Sequence, residues 1–588
     1  MKSGNRQMSA KQRASGVAKS IAWPVARGAA RVLIRHGRFA LVPVKRLYTV
    51  YVNTVPRLIY NVWATQNETK CFVQDAPKTR PLVSVVVPVY NPEYRHLLEM
   101  VYSVANQHYE NWELVLVNGS TDGASRGQVE ACANIDTRIR IVDLPKNLGI
   151  AGNTNKGLDA CKGDYVAFFD HDDLMHPCAL HCAVATINRT GAELIYTDED
   201  KISDSSTNYF APFIKPKWSP DLLRNVNYFN HLTIAKRSMV EKVGGLRAEC
   251  NGAQDYDFLL RVIDECKPQI VHIPRVLYHW RAAKSSTASN FSVKAYVLKA
   301  GTDALQAHLD RNGIKASAHA IENRPGFYET LFPAPKAISV VVGPVDAPNH
   351  RLCVAWLEKL CAGAAGDVKV ELVVGDWFAP YRTKVMAAVR LVSEQEKAYW
   401  PAAAASVSHK TVVCFAGAAL PLHGEGDAIV RLAAAATQTD VVVAPVLVGE
   451  DGTIMDAGLV ESAYGKQQLF RGCKLGEDSY YGSTEWVRDV AGLSLEVFAT
   501  SADMFARIAK NASGDALNDG ILQQAASKTT RFILYPHAPF LRKGALKLPD
   551  LVNDTYFNPQ LTQAHSGIDV RLSAWSKLEQ AVSERAHE

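Results

Sequence analysis

Asp170-His171-Asp172-Asp173 follows directly on the apolar run Tyr165-Val166-Ala167-Phe168-Phe169. Carboxylates spaced by one residue at the end of a buried strand reach one small volume if the chain turns there. Such hard oxygen ligands suit Mg²⁺ or Mn²⁺, ions that also bind diphosphate. Three acids this close repel one another unless a cation lies between them. The bland alternative is a solvated turn in which Asp172 or Asp173 caps a helix. Among the cysteines the only cluster is Cys178 and Cys182, with His176 and His181 nearby, and it reads better as buried thiols on a helix than as a metal site.

The elements that must position the acids can be read from hydrophobic periodicity. Residues 82–87 are an almost unbroken apolar run bounded by prolines, the pattern of a buried parallel strand. A helical pattern over 96–107 leads to a second strand at 112–117, which ends in Asn118-Gly119-Ser120-Thr121-Asp122-Gly123. A short strand at 140–142, a helix over 150–161 and the strand before Asp170 complete the series. Alternating strands and helices predict an α/β fold with a largely parallel sheet. In such sheets ligands bind beyond the carboxyl ends of the strands. Tyr90-Asn91, Asn118-Gly119-Ser120 and Asp170-His171-Asp172 all stand at such ends.

Near Pro333-Ala334-Pro335 the pattern restarts. Ile338-Ser339-Val340-Val341-Val342 echoes Val83-Ser84-Val85-Val86-Val87, and Val370-Glu371-Leu372-Val373-Val374 echoes Trp112-Glu113-Leu114-Val115-Leu116. In this divergent repeat Ala416-Gly417-Ala418-Ala419 replaces the acidic cluster, so the second half is expected to repeat the fold without the chemistry. The expected division is a basic, partly helical region at 1–80, a catalytic domain at 81–330, a degenerate domain at 335–547 and a tail at 548–588.

A chain of 588 residues is expected to hold two to four domains, and 47% hydrophobic with 21% charged residues is ordinary for a soluble protein. No apolar run approaches the roughly 18 residues that span a bilayer, and no secretory core is evident. Scattered cysteines, 11 in all, fit a reducing cytoplasm. The net charge of +6 resides in one place: residues 1–80 hold 15 Lys and Arg against Glu68 and Asp75. Arg27, Arg31, Arg35 and Arg38 fall on one helical stripe. That stripe reads as a peripheral contact with an anionic inner membrane face or as a loosely packed basic tail. Nucleic acid is not expected as a partner, since no recognition module follows.

Residues 83–91, the strand running into Asn118-Gly119-Ser120-Thr121-Asp122, and residues 168–173 together resemble the family 2 glycosyltransferases of the GT-A fold. Residues 196–201, 213–221, 252–257 and 272–281 extend the resemblance to a branch that builds bacterial surface polysaccharides such as O-antigen and capsule. The resemblance implies a GT-A domain with a mostly parallel central sheet, followed by a second, degenerate GT-A-like domain. It implies that Pro88, Tyr90, Asn91 and Asn118 line the donor nucleotide, that Asp170 contacts the ribose side, and that Asp172 holds a Mn²⁺ or Mg²⁺ ion with His279 as a further ligand. His279 on its own residue type reads as a packed core histidine. Asp255 matches the general base of these inverting enzymes, which removes the acceptor proton as the hydroxyl attacks the anomeric carbon; otherwise it is a helix cap. Asp257 is expected to orient its loop.

Asp198, Glu199 and Asp200 would lie near the sugar and acceptor pocket, or else form a solvated turn; Trp218 would stack on a sugar or belong to the core. The expected donor is a UDP- or dTDP-sugar, transferred in hexosyl or rhamnosyl fashion, and the expected acceptor a lipid-linked or growing glycan. Many relatives carry acids where Val117 and Asn118 stand, which leaves the nucleotide base open. Pro88-Val89-Tyr90-Asn91-Pro92 replaces the Gly-rich basic loop of a nucleotidyltransferase. Aligning Pro536 with Pro274 places Leu541 opposite His279 and Leu517 opposite Asp255. The alternative for the whole chain is a non-catalytic glycan-binding or assembly partner.

Overall fold

The first apolar run forms β1 (Val83–Val89), with valines buried on both faces, which is why apolar residues occupy successive positions rather than alternate ones. This computed structural model describes residues 60 to 541 apart from interruptions, the longest of them 69–77, 283–293 and 518–529. Asn67–Gln563 forms one compact unit. The basic stripe at Arg27, Arg31, Arg35 and Arg38 and the tail at 548–588 lie outside the described residues.

β2 (Trp112–Asn118), β3 (Ile139–Asp143) and β4 (Tyr165–Phe168) extend β1 in parallel, in the order β3-β2-β1-β4. The strands β5 (Leu174–Met175), β6 (Leu194–Ser203), β7 (Tyr209–Phe213), β8 (Thr233–Lys236) and β9 (Ile270–Ala282) complete a nine-stranded sheet. Its order is β3-β2-β1-β4-β8-β6-β9-β5, with β7 on β6. β8 runs antiparallel to β4 and β6, while β6 and β9 are parallel. Val89 pairs with Asn118, so the loops after β1 and β2 emerge side by side, next to the loop that follows β4. β5 brings that loop back against β9, where Leu174 pairs with His279, and β6 aligns Asp200 with the same histidine. The helix Gly149–Ala160 lies close against β1 and β2 because Gly157 has no side chain: a Cβ there would stand 2.6 Å from Val86 and 2.7 Å from Val117.

A hairpin of β10 (Ser317–Ala320) and β11 (Tyr328–Leu331) precedes the second sheet. Its strands β12 (Ala337–Val342), β13 (Lys369–Gly375), β14 (Ala388–Val392), β15 (Thr411–Phe415), β16 (Leu420–Pro421) and β17 (Val441–Val448) are joined by Val497–Ser501 and Arg531–Leu541. The order β14-β13-β12-β15, then Val497–Ser501, β17, Arg531–Leu541 and β16, reproduces the first sheet position for position. The strand directions agree as well.

The duplication extends to one buried knot. Glu113 accepts hydrogen bonds from the Ser84 hydroxyl, the Lys162 amide and Arg140, each at 2.6 Å. Glu371 accepts from the Ser339 hydroxyl at 2.6 Å, the Ser408 amide at 3.0 Å, and Arg390. The end of β12 differs from that of β1. The indole of Trp400, fully buried, lies against Gly343, where a Cβ would come within 2.7 Å of it, and the Tyr399 hydroxyl donates to the Val342 carbonyl. The space beyond this strand is occupied by aromatic rings.

Burial opposes ionisation of Glu371, but its donors hold the carboxyl down at about 2. A pKa depressed on folding gives stability that is full above the unfolded value, near 4.3, and is lost as pH falls toward 2. Glu371→Gln is therefore expected to lower stability at neutral pH by on the order of 3 kcal/mol. Urea unfolding at a series of pH values should show the gap to wild type closing between about pH 5 and pH 2; a constant gap would show that the charge is not what these donors hold.

Candidate active site

Asp173, the last of the clustered acids, fastens the loop. It is buried; one carboxylate oxygen accepts the Arg281 amide at 2.7 Å and the other accepts the Tyr278 hydroxyl. Burial, together with the charges of Asp170 and Asp172, pushes its carboxyl well above the usual range. Arg281 also donates to the Asp172 carbonyl. With its third acid tied to β9, the loop presents Asp170, whose side chain is 41% exposed, and the partly exposed Asp172.

A cation built from protein stands beside Asp170. His231 places Nε2 3.6 Å from Asp170 and Nδ1 3.6 Å from Glu199, and its ring stacks on Tyr278 at 4.7 Å. Burial disfavours the imidazolium, but the Glu199 and Asp170 carboxylates raise its pKa to about 9, so it is charged at neutral pH. Glu199 is held in turn by Lys215, a fully buried side chain whose Nζ lies 3.2 Å from the carboxylate and donates to the carbonyls of Phe229 at 3.3 Å and His231 at 2.8 Å. Burial lowers the Lys215 pKa; for Glu199 burial is outweighed by Lys215 and His231, and its carboxyl is lowered.

Asp255 sits in the first turn of the helix Gln254–Cys266, and its Oδ2 accepts hydrogen bonds from Asn227 at 3.1 Å and from Asn230. Burial raises its pKa and the Asp170 charge adds to this, against His231. His231 thus stands beside Asp170 while its chain neighbour Asn230 binds Asp255. Asp257, two residues on, is buried and paired to Arg247 at 3.0 Å and Arg261 at 2.8 Å; Arg261 also binds the carbonyls of Val243 and Gly245. It holds the loop ahead of Asp255.

At the other strand ends, Tyr90 is exposed, and Asn91, at φ 42°, donates its amide to the Ser120 hydroxyl at 3.0 Å. Pro88 lies within β1 opposite Val117. Asn118 is buried, accepts the Ser120 amide at 3.2 Å and donates to Asp143 at 2.9 Å. Asp143, paired also to Arg126, supplies from the end of β3 a carboxylate beside the neutral Asn118.

Several expected site residues are engaged within the chain. Asp198 has no exposed surface: its Oδ1 accepts the Lys215 amide at 2.9 Å and lies 2.8 Å from His272 Nε2. Expected near the sugar and acceptor pocket or in a solvated turn, it instead joins β6, β9 and the segment carrying Lys215. Trp218, partly buried, packs edge-on against Phe229 at 5.6 Å. His279 is buried with Nδ1 2.6 Å from Asp200 and Nε2 3.1 Å from Glu68; burial opposes its charge, yet the two carboxylates raise its pKa well above the ordinary value. Asp200 is thus the partner of His279.

Among the described residues, the one group of three potential ligand side chains within 4.8 Å is Glu93, His96 and Asp204. It faces the two acids with opposite ring nitrogens of His96, each at 3.4 Å, which suits a bridging histidine better than a metal ligand. Asn227, Asn230, His231, Asp143 and Glu68 carry no spacing signal. Lys215 could have been singled out from its place within residues 213–221.

Replacing Lys215 by Met leaves Glu199 buried without its cation. The unfolding free energy should fall by about 3–5 kcal/mol, and adding Glu199→Gln should return part of it. An unchanged urea midpoint in the single variant would remove Lys215 from this role.

Residues 84–243 match the family model described as Glycosyl transferase family 2. The uncharacterised protein y4gI of Sinorhizobium fredii is 40% identical over 274 residues, covering 46% of this chain and 30% of that protein. O-antigen biosynthesis protein RfbC of Myxococcus xanthus is 37% identical over 275 residues, covering 46% of this chain and 21% of that protein. The chain therefore spans less than a third of the length of these two relatives. EpsE of Bacillus subtilis, provisionally named a glycosyltransferase, is 31% identical over 195 residues, which are 32% of this chain and 68% of EpsE.

Proposed function

This chain belongs to glycosyl transferase family 2, and we propose that its first domain moves a sugar, with inversion, from a nucleotide-diphospho-sugar to a hydroxyl of a lipid-linked or growing surface polysaccharide. The observation that carries this reading is Asp255 held by Asn227 and Asn230 within reach of the influence of Asp170 and His231. A carboxylate oriented by two amides, with its pKa raised by burial, is suited to take a proton near neutral pH. It would remove the acceptor proton while that oxygen attacks the anomeric carbon from the face opposite the departing nucleotide diphosphate.

Tyr90, Asn91 and Asn118 with Asp143 would receive the nucleoside; Pro88 shapes that strand end, and UDP- or dTDP-sugars are the donors proposed. The acidic loop fits a divalent cation: Mn²⁺ or Mg²⁺ on Asp170 and Asp172 would relieve the repulsion among these acids, which adds to burial in raising Asp173. When bound, such an ion neutralises charge on the leaving diphosphate. His279 joins that site only by parting from Glu68. His231 adds a fixed positive charge on the same side. Glu199 and Asp200 set the positions of His231 and His279, behind the pocket where the transferred sugar would lie.

No helix among the described residues is long and apolar enough to cross a membrane. Attachment to the inner membrane face through the basic stripe remains part of the proposal, on its arginine spacing alone. For the second domain, the aromatic filling beyond β12 and Ala416 in place of the first acid favour a non-catalytic role.

Purified protein supplied with a panel of UDP-, dTDP- and GDP-sugars, Mn²⁺ or Mg²⁺, and membrane glycolipid should release nucleoside diphosphate from one donor. Asp255→Asn is expected to reduce turnover by about 10²–10⁴-fold. Asp172→Ala should weaken the metal dependence. Turnover by Asp255→Asn at the wild-type rate would overturn the assignment of the base.

A further inference from the structure

We infer that the second domain is a positioning element for the reaction in the first, acting through Arg531 and Asp489 on the segment that orients Asp255. The inference rests on the reading of Asp255 as the base. Its starting point is a buried polar network between the two halves. The Ser219 hydroxyl donates to Asp489 Oδ2 at 2.7 Å, and the Asp489 amide donates back to that hydroxyl at 3.1 Å. Asp489 also accepts the Asp221 amide at 3.3 Å. Arg531 binds Asp489 Oδ1 at 3.0 Å and reaches Asp221 with the same nitrogen, while Arg224 holds the other oxygen of Asp221 at 3.1 Å. The Val487 amide donates to the Asn225 side chain at 3.2 Å. Ser219, Asp221, Arg224, Asn225 and Asp489 are all buried.

Apolar contact accompanies this network. The ring of Trp486 joins the first domain's core, 5.8 Å from Phe213 and 5.4 Å from Phe327. Buried charges in such number add little net stability over an apolar interface, but each needs its partner in place, so the network specifies one docking geometry.

What that geometry specifies lies within the next dozen residues. Ser219 and Asp221 begin a stretch whose amide-bearing side chains Asn227 and Asn230 are the two donors on Asp255, and whose His231 stands beside Asp170. The same stretch is tied inward where the Tyr256 hydroxyl, on the helix of Asp255, donates to the Leu223 carbonyl at 2.7 Å. One edge of the stretch is therefore fixed by the second domain and the other presents the donors on the base. Misplacing a catalytic group by about 1 Å costs on the order of a hundredfold in rate. A domain without an acidic cluster of its own thus retains a part in the chemistry of its neighbour. Arg531 and Asp489 are positioning residues.

The test uses the full chain carrying Arg531→Ala, Arg531→Lys or Asp489→Asn, each checked for folding by circular dichroism. Arg431→Ala, which removes a separate pair with Glu329 across the two halves, serves as control. Hydrogen exchange of the amides of 225–232 should accelerate at least about tenfold in Arg531→Ala and Asp489→Asn, stay slow in the control, and recover partly in Arg531→Lys. With the donor identified from the panel, kcat should fall about tenfold or more while the donor KM stays within about twofold, because the loops after β1, β2 and β4 are untouched. Unchanged exchange overturns the inference, and so does accelerated exchange with wild-type kcat. Should Arg531→Ala fail to fold, Asp489→Asn and Arg531→Lys decide by the same two readouts. If Asp255→Asn proves fully active, the assignment of the base falls, and exchange alone then decides whether Arg531 orders this segment.

Discussion

A carboxylate taken out of water keeps its charge only if donors replace the water, and Glu113 shows how much follows from that requirement. It stands near the start of β2 and draws a hydroxyl from β1, a guanidinium from β3 and the amide just ahead of β4 onto one group. Burial raises the cost of the charge, and the three donors more than offset it, so its pKa ends lower than in water. Four elements are thereby held in one register. The strand ends that carry Asn91, Asn118 and Asp170 inherit their relative positions from this knot at the opposite side of the same strands. Glu371 repeats the arrangement in the second sheet with Ser339, Arg390 and Ser408.

The site obeys the same rule with charges placed for use. Asp173, its pKa raised by burial and by the neighbouring acids, serves as an anchor to β9. Glu199 keeps its charge because Lys215 is buried with it, and the pair sets His231 against Asp170. Asp255 falls between these cases, with two amide donors, a raised pKa and a nearby imidazolium. A buried carboxylate in that condition is suited to the general-base role proposed for it.

The duplicated half retained the knot and lost the acids. With Ala416 at the end of β15, no charge excess remains there for a cation to relieve, and Trp400 takes up space beyond β12. Its surface toward the first domain went the other way: Asp489 and Trp486 are buried against its neighbour, and the half-buried Arg531 pairs with Asp489 there.

Hydrophobic runs alone determined β1, β2 and β4, since a strand covered on both faces must be apolar at successive positions, and the second run of the same pattern determined the repeat. The acids at the strand ends were legible for the same reason: an apolar run that stops at Asp170 marks both a strand and its carboxyl end. The role proposed for Asp255 rests on resemblance, because its position in the first turn of a helix is equally that of an ordinary cap. The tertiary structure alone decided which polar residues meet. Asp198 and Glu199 are neighbours in sequence, yet one is engaged by the backbone of Lys215 and by His272, while the other holds the Lys215 ammonium and His231. Asn230 and His231 lie far along the chain from Asp170, and Glu68 lies far from His279. No local pattern announces such pairs, because they arise from the order in which β6, β8 and β9 cross the sheet. Periodicity reports which face of an element is buried, whereas the partner of a buried charge is set by topology.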